Sequence, residues 1–148
     1  MIQRKQSLFL FFSVLLFAAT YYFPFGTLQS YELFAYRTLE VQGALMEGVQ
    51  HYYFAIPMSI GATITLMAIF MYGNRQRQMA VIRLTFVLYA ISFVLMALYF
   101  MNAAKIFGDG FKPGISFFLA FASFFLNILA VRAIRQDDRL VKSVDRIR

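Results

Sequence analysis

LTFVLYAISFVLMALYFM, residues 84 to 101, contains no charged side chain and no alternation of polar with apolar residues. At about 1.5 Å per helical residue it is roughly 27 Å long, close to the thickness of a bilayer's hydrocarbon core. A barrel strand would be shorter and would alternate, so the stretch reads as one transmembrane helix. Three further uncharged runs share its character: Leu8 to Phe25, Tyr52 to Tyr72 and Ile115 to Val131. Every Lys, Arg, Asp and Glu of the 148-residue chain lies outside these four runs. With 61% of residues apolar, 19% aromatic and 14% charged, the composition is that of a membrane protein.

The expected fold class is therefore an all-α membrane protein, a single domain of four transmembrane helices in an antiparallel bundle. The spans are placed at about residues 8–25, 52–72, 84–104 and 114–134, followed by a tail over 135–148. The first run follows Arg4 and Lys5, as a secretory signal would. Its apolar stretch is too long for one, and no small-residue pair near Ala18 to Thr20 precedes a polar sequence, so it is expected to be retained.

Charge sets the orientation. The N-terminus (Arg4, Lys5), the connection GNRQRQ at 73–78 with Arg83, and the tail together with Arg132 hold 11 basic residues, against three, Arg37, Lys105 and Lys112, in the other two connections. The positive-inside rule then puts both termini in the cytoplasm. The net charge of +7 reads as a topology signal, and no nucleic-acid partner is expected.

The connections carry local signals of their own. In the long outer segment, 26–51, YELFAYRTLEVQG is read as extended, with Leu33, Ala35, Leu39 and Val41 on one face. The alternative is a short interfacial helix grouping Leu33, Tyr36 and Glu40. The tight 73–78 connection should leave helices two and three as antiparallel neighbours. In GDGFKPG, 108–114, Asp109 and Gly110 predict a turn and Pro113 the first turn of helix four.

Polar and small residues inside the runs are the candidate sites. Ser116, Ala120, Ser123, Asn127 and Ala130 recur at spacings of four and three on helix four, a stripe expected to face protein while Phe117, Phe118, Phe121, Phe124 and Phe125 face mostly lipid. Asn127 is expected to make an interhelical hydrogen bond in preference to contacting an ion or ligand. Gly61, Thr65 and Ala68 on helix two predict close packing, with a kink at Pro57. His51 reads as an interfacial polar residue. Asp137 and Asp138, adjacent and hence about 100° apart on a helix, form no acid/base dyad and suit capping.

In the tail, Arg132, Arg135, Arg139, Lys142 and Arg146 fall on one helical arc opposite an apolar one that Asp137 interrupts. The expectation is that helix four ends near Gln136, and that Asp137 caps an amphipathic helix lying on anionic headgroups; a plain extension of helix four is the alternative. With Cys 0 and His 1, thiol chemistry and thiolate or bis-histidine metal sites are excluded within the chain. No catalytic, cofactor-binding or metal-binding residue is expected.

Two end segments, MIQRKQ at 1–6 and AIRQDDRLVKSVDRIR at 133–148, resemble the family of small four-span bacterial membrane proteins called domain of unknown function 4293. The resemblance implies an inner-membrane protein of a Gram-negative bacterium, and it carries over no catalytic residue. The function expected is a non-enzymatic structural or accessory one, with the tail contacting anionic lipid or a membrane-protein partner, including a second copy of the chain. The alternative is a small transporter or channel subunit using the polar faces of helices two and four. A membrane enzyme of the glutathione-transferase or quinone-redox kind would need polar catalytic groups that the spans do not carry.

Overall fold

The computed structural model describes residues 3–28, 31–35, 38–40, 53–107 and 110–145. Its elements run in the order α1 (Gln3–Ala19), β1 (Gly26–Leu28), β2 (Tyr31–Leu33), β3 (Thr38–Glu40), α2 (Ala55–Ile69), α3 (Arg75–Phe107), β4 (Phe111–Pro113) and α4 (Ile115–Asp145). The molecule is mostly helical, and α1 packs chiefly on α4, α2 chiefly on α3. Both pairs are antiparallel: Gln6 meets Ala133 and Thr20 meets Ser116, while Gln78, just past the α2–α3 turn, reaches back to Ala68.

One spacing repeats in every helix. Buried positions fall at Gln6, Leu10, Ser13, Phe17 and Thr20 in and just beyond α1, and at Phe54, Met58, Gly61, Thr65 and Ala68 along α2. In α3 they are Gln78, Ile82, Thr85, Tyr89, Ser92, Met96 and Tyr99; in α4, Ser116, Ala120, Ser123, Asn127, Ala130, Ile134 and Asp137. Steps of four and three average 3.5 residues, the period that keeps one stripe of each helix facing its neighbours. The outward stripes are apolar. Leu84, Val87, Ile91, Val94, Leu98 and Met101 of α3 are all exposed, as are Leu8, Phe11, Phe12 and Leu15 of α1. The outward surface is thus apolar where that of a water-soluble helical protein would be polar.

The segment read as extended does form strands, and they belong to a four-stranded antiparallel sheet of order β3-β2-β1-β4. The all-α expectation is corrected accordingly. Its fourth strand comes from the connection before α4, whose turn residues gave no hint of a partner some 85 positions away, Leu28 opposite Phe111 and Gly26 opposite Pro113. A proline is tolerated there because β4 is an edge strand. Gly110, with φ 132°, supplies the turn into it. Extension is not continuous: β2 and β3 pair with each other, so Leu33 and Leu39 sit on separate strands, and Val41 lies outside the described residues.

Sheet and helices are joined at the ends of α1 and α4. Gly114 N–H donates to Phe25 O (2.9 Å) and Ser116 N–H to Pro24 O (3.2 Å), while the Ser116 hydroxyl is shared between Thr20 O (2.9 Å) and Phe23 O (2.6 Å). Phe25, Leu33, Phe54, Met58 and Tyr99 close an apolar cluster beneath the sheet. A second cluster, Leu10, Ala68, Ile82, Ala130 and Ile134, occupies the opposite end.

Several local expectations change with the boundaries. Pro57 lies in the first turn of α2, which begins at Ala55, where a proline forfeits no helical hydrogen bond and so gives no cause for a kink. Pro113 precedes α4 as part of β4 and is not in its first turn. α4 does not end near Gln136 and Asp137 caps nothing, because the helix runs unbroken to Asp145. The phenylalanines divide: Phe118 and Phe125 are exposed, but Phe117, Phe121 and Phe124 pack inward, with Phe121 stacked on Phe93 at 4.4 Å. Flanking the small-residue stripe on its α3 side, these rings fill the gap that the serines and alanines leave.

Candidate functional site

Between the two apolar clusters all four helices place a polar side chain. The Ser13 hydroxyl donates to Ser123 O (3.0 Å) and the Ser123 hydroxyl to Ser13 O (2.9 Å), a reciprocal pair that fastens α1 to α4. With both serine hydrogens directed to carbonyls, the Tyr89 hydroxyl is the donor to Ser123 Oγ at 3.1 Å, which brings in α3. Asn127 Nδ2 lies 3.5 Å from Thr65 Oγ1, whose own hydrogen goes to Gly61 O at 2.9 Å, and this adds α2. All five side chains are buried.

Asn127 was the sequence's most conspicuous polar residue, yet its bond is long and its Oδ1 has no partner. Replacing it with Leu removes a marginal bond of under 1 to about 2 kcal/mol together with an unpaired buried carbonyl, and the two effects oppose each other. Asn127→Leu is therefore expected to leave thermal stability in detergent within about 1 kcal/mol of the parent. A drop of several times that size, measured by thermal unfolding, would show that the carboxamide makes bonds beyond Thr65.

Gly61 lies against α3, where an added Cβ would sit 3.6 Å from Leu88 and Tyr89, ordinary contact distance. Ala68 offers its carbonyl to Gln78 Nε2 at 2.8 Å. Ala120 is in the cluster beneath the sheet and Ser116 in the junction with Thr20 and Phe23. The structure thus joins Thr65 directly to Asn127 and sets Ser123 in the same layer, while Ser116, Ala120 and Ala68 serve other levels of the fold.

At the far end, Asp137 turns inward from α4 and meets Arg75, the first residue of α3, with Nη2 and Oδ2 2.8 Å apart. The contact is one of charge, its angles falling outside those of a hydrogen bond. Asp137 is 8% exposed and Arg75 22%. Gln6 Nε2 reaches Ala133 O at 3.4 Å nearby. Arg132, Arg135 and Arg139 point outward and are exposed. Lys142 is on α4, with its side chain outside the described residues, as are Arg146 and His51. Among the described residues no group of His, Cys, Asp and Glu could hold a metal ion.

Two helical stretches, Arg75–Asn102 and Ile115–Val141, are long and apolar enough to cross a membrane. The model of the family Domain of unknown function (DUF4293) matches residues 2–147. The chain belongs to this family. The match takes in all four helices and the sheet, so the Arg75–Asp137 contact and the buried polar layer both lie within the DUF4293 domain. No curated protein and no solved structure matches the chain.

Ser13, Tyr89, Gln6, Gln78 and the Arg75–Asp137 pair were not singled out from the sequence. The signal was present: continuing the four-and-three stripe of α4 past Ala130 reaches Ile134 and then Asp137, which makes the acid an inward residue of a continuing helix.

Proposed function

We propose that this DUF4293 protein is a four-span integral protein of the bacterial inner membrane with both termini in the cytoplasm. In this reading it is a non-enzymatic structural or accessory component whose basic α4 extension contacts anionic lipid or an acidic face of a membrane-protein partner, a second copy included. The apolar outward face of the helices carries the reading. Stripes such as Leu84 to Met101 would be an aggregation surface in water, but in hydrocarbon they are solvated, and small and hydroxylated residues are the natural packing face there.

The shorter helices suit the same setting. α1 and α2 cover roughly 26 and 23 Å at 1.5 Å per residue, and helical turns at Thr20 to Tyr22 and Phe70 to Gly73 lengthen them. Their exposed surface is as apolar as that of α3. Hydrogen bonding of the central layer among its own members favours packing over passage of a solute.

Exposed Arg132, Arg135 and Arg139 line one side of the α4 extension, and each basic group near an anionic leaflet contributes about 1 kcal/mol. The test compares the whole protein in bilayers of anionic and of neutral lipid. The parent should be more heat-stable in the anionic bilayer, with the difference fading toward 1 M salt, where the Debye length is about 3 Å. Changing the three arginines to Gln should abolish the difference and leave insertion intact. Equal stability of the parent in both bilayers would remove the lipid contact from the proposal.

A further inference from the structure

A cavity of about 510 Å³ opens at the α2–α3 turn, lined by Tyr72, Gly73, Asn74, Arg75, Gln76 and Asp138. We infer that it binds the headgroup of an aminophospholipid, with the phosphate on Arg75 and the ammonium on Asp138. The inference rests on the membrane reading above, which places this end of the molecule at the cytoplasmic headgroups.

Both charges in the lining matter. Arg75 spends Nη2 on Asp137, but a guanidinium has five N–H donors and 22% of this side chain remains exposed. The helix start adds to it. Asn74 takes the Arg77 N–H on its Oδ1 (3.0 Å) and the Gln78 N–H on its carbonyl (2.9 Å), so the positive end of α3 begins within the lining of the cavity. An anion alone would meet these donors but also the carboxylate of Asp138. A cation alone would meet Arg75.

A ligand with a phosphate and an amine a few ångströms apart satisfies both walls. Asp138 already holds a contact, yet a carboxylate accepts at about four sites, enough to take an ammonium N–H as well. A choline group has no N–H to donate and is usually held by a cage of aromatic rings. Among the described residues Tyr72 is the one ring in the lining, so the chemistry favours a primary amine. Tyr72 is 65% exposed, which suits the boundary between headgroups and hydrocarbon.

The experiment measures lipid retention by the full chain in mild detergent, using native mass spectrometry with phosphatidylethanolamine, phosphatidylcholine and phosphatidylglycerol of identical acyl chains. Phosphatidylethanolamine should be retained about tenfold better than the other two, the size of one charge-assisted hydrogen bond. Asp138→Asn should bring it to the level of phosphatidylcholine. Soluble phosphoethanolamine should displace the lipid at concentrations where inorganic phosphate does not.

Equal retention of the three lipids by the parent, a preference for phosphatidylglycerol, or equal displacement by inorganic phosphate would each overturn the inference. The parent's selectivity decides the matter even if Asp138→Asn fails to fold. Labelling of a cysteine at Gln76 from outside the membrane would instead overturn the sidedness on which the inference rests, whatever the selectivity.

Discussion

Asp137→Ala should be among the most damaging single substitutions in the chain. Asp137 is 8% exposed and faces Arg75 at 2.8 Å, so removing it strands a guanidinium between α3 and α4. Breaking a buried ion pair from one side costs about 3 to 5 kcal/mol, and the lower end applies because Arg75 keeps 22% of its side chain in contact with solvent. At about 2 to 4 °C per kcal/mol, the apparent Tm in detergent should fall by roughly 10 °C. Adding Arg75→Met should recover much of that loss, since an apolar pair of similar volume leaves no charge unmatched. A double variant no more stable than Asp137→Ala would show that Asp137 acts through something other than Arg75.

Gly114→Ala should be nearly as severe for a different reason. A Cβ at Gly114 would be driven into the Pro24 carbonyl oxygen and would stand 3.1 Å from Gly26 N. Both obstacles are backbone, held in place by the Gly114 N–H to Phe25 O and Ser116 N–H to Pro24 O bonds, so no side chain can swing aside. Overpacking of this kind costs about 1 to 3 kcal/mol or more, and here it pries the β1–β4 pairing from the start of α4. Gly73→Ala is the control. Its Cβ would meet nothing within 4 Å, and the exchange should be neutral or stabilising by about 0.4 to 1 kcal/mol through the unfolded chain. Comparable Tm values for the two variants would contradict the junction described here.

The helices were legible because each rests on a local, continuous signal, an uncharged run such as Leu84 to Met101. The packing stripe of α4 was legible as far as Ala130 because small and polar residues stand out among phenylalanines. Beyond Ala130 the background turned polar, Asp137 looked like an interruption of an amphipathic pattern, and only its partner at the start of α3 shows that it belongs to the stripe. Partners far apart in sequence were the general blind spot. Nothing near Phe111 announces Leu28, and nothing near Ser13 announces Ser123, since pairing across such distances depends on how the helices dock. Tyr89 was hidden for another reason: it stands in the middle of an uncharged run among apolar residues, and only the docking of α3 on α4 brings its hydroxyl to Ser123.

The central claim, proposed above, is that the apolar outward face of the four helices reflects four passages of a bilayer. The chain has no cysteine, so single cysteines can report sidedness without background. Suitable sites are Gln42 and Lys112, on the connections proposed to lie outside, with Gln76 and Ser143, proposed to lie inside; Lys112 is preferable to Gly110, whose φ of 132° suits only glycine. Each variant is treated in intact spheroplasts with a membrane-impermeant thiol reagent, then again after lysis. The account predicts labelling at 42 and 112 before lysis and at 76 and 143 only after it. Labelling of 76 in intact cells, or protection of 112, would contradict it.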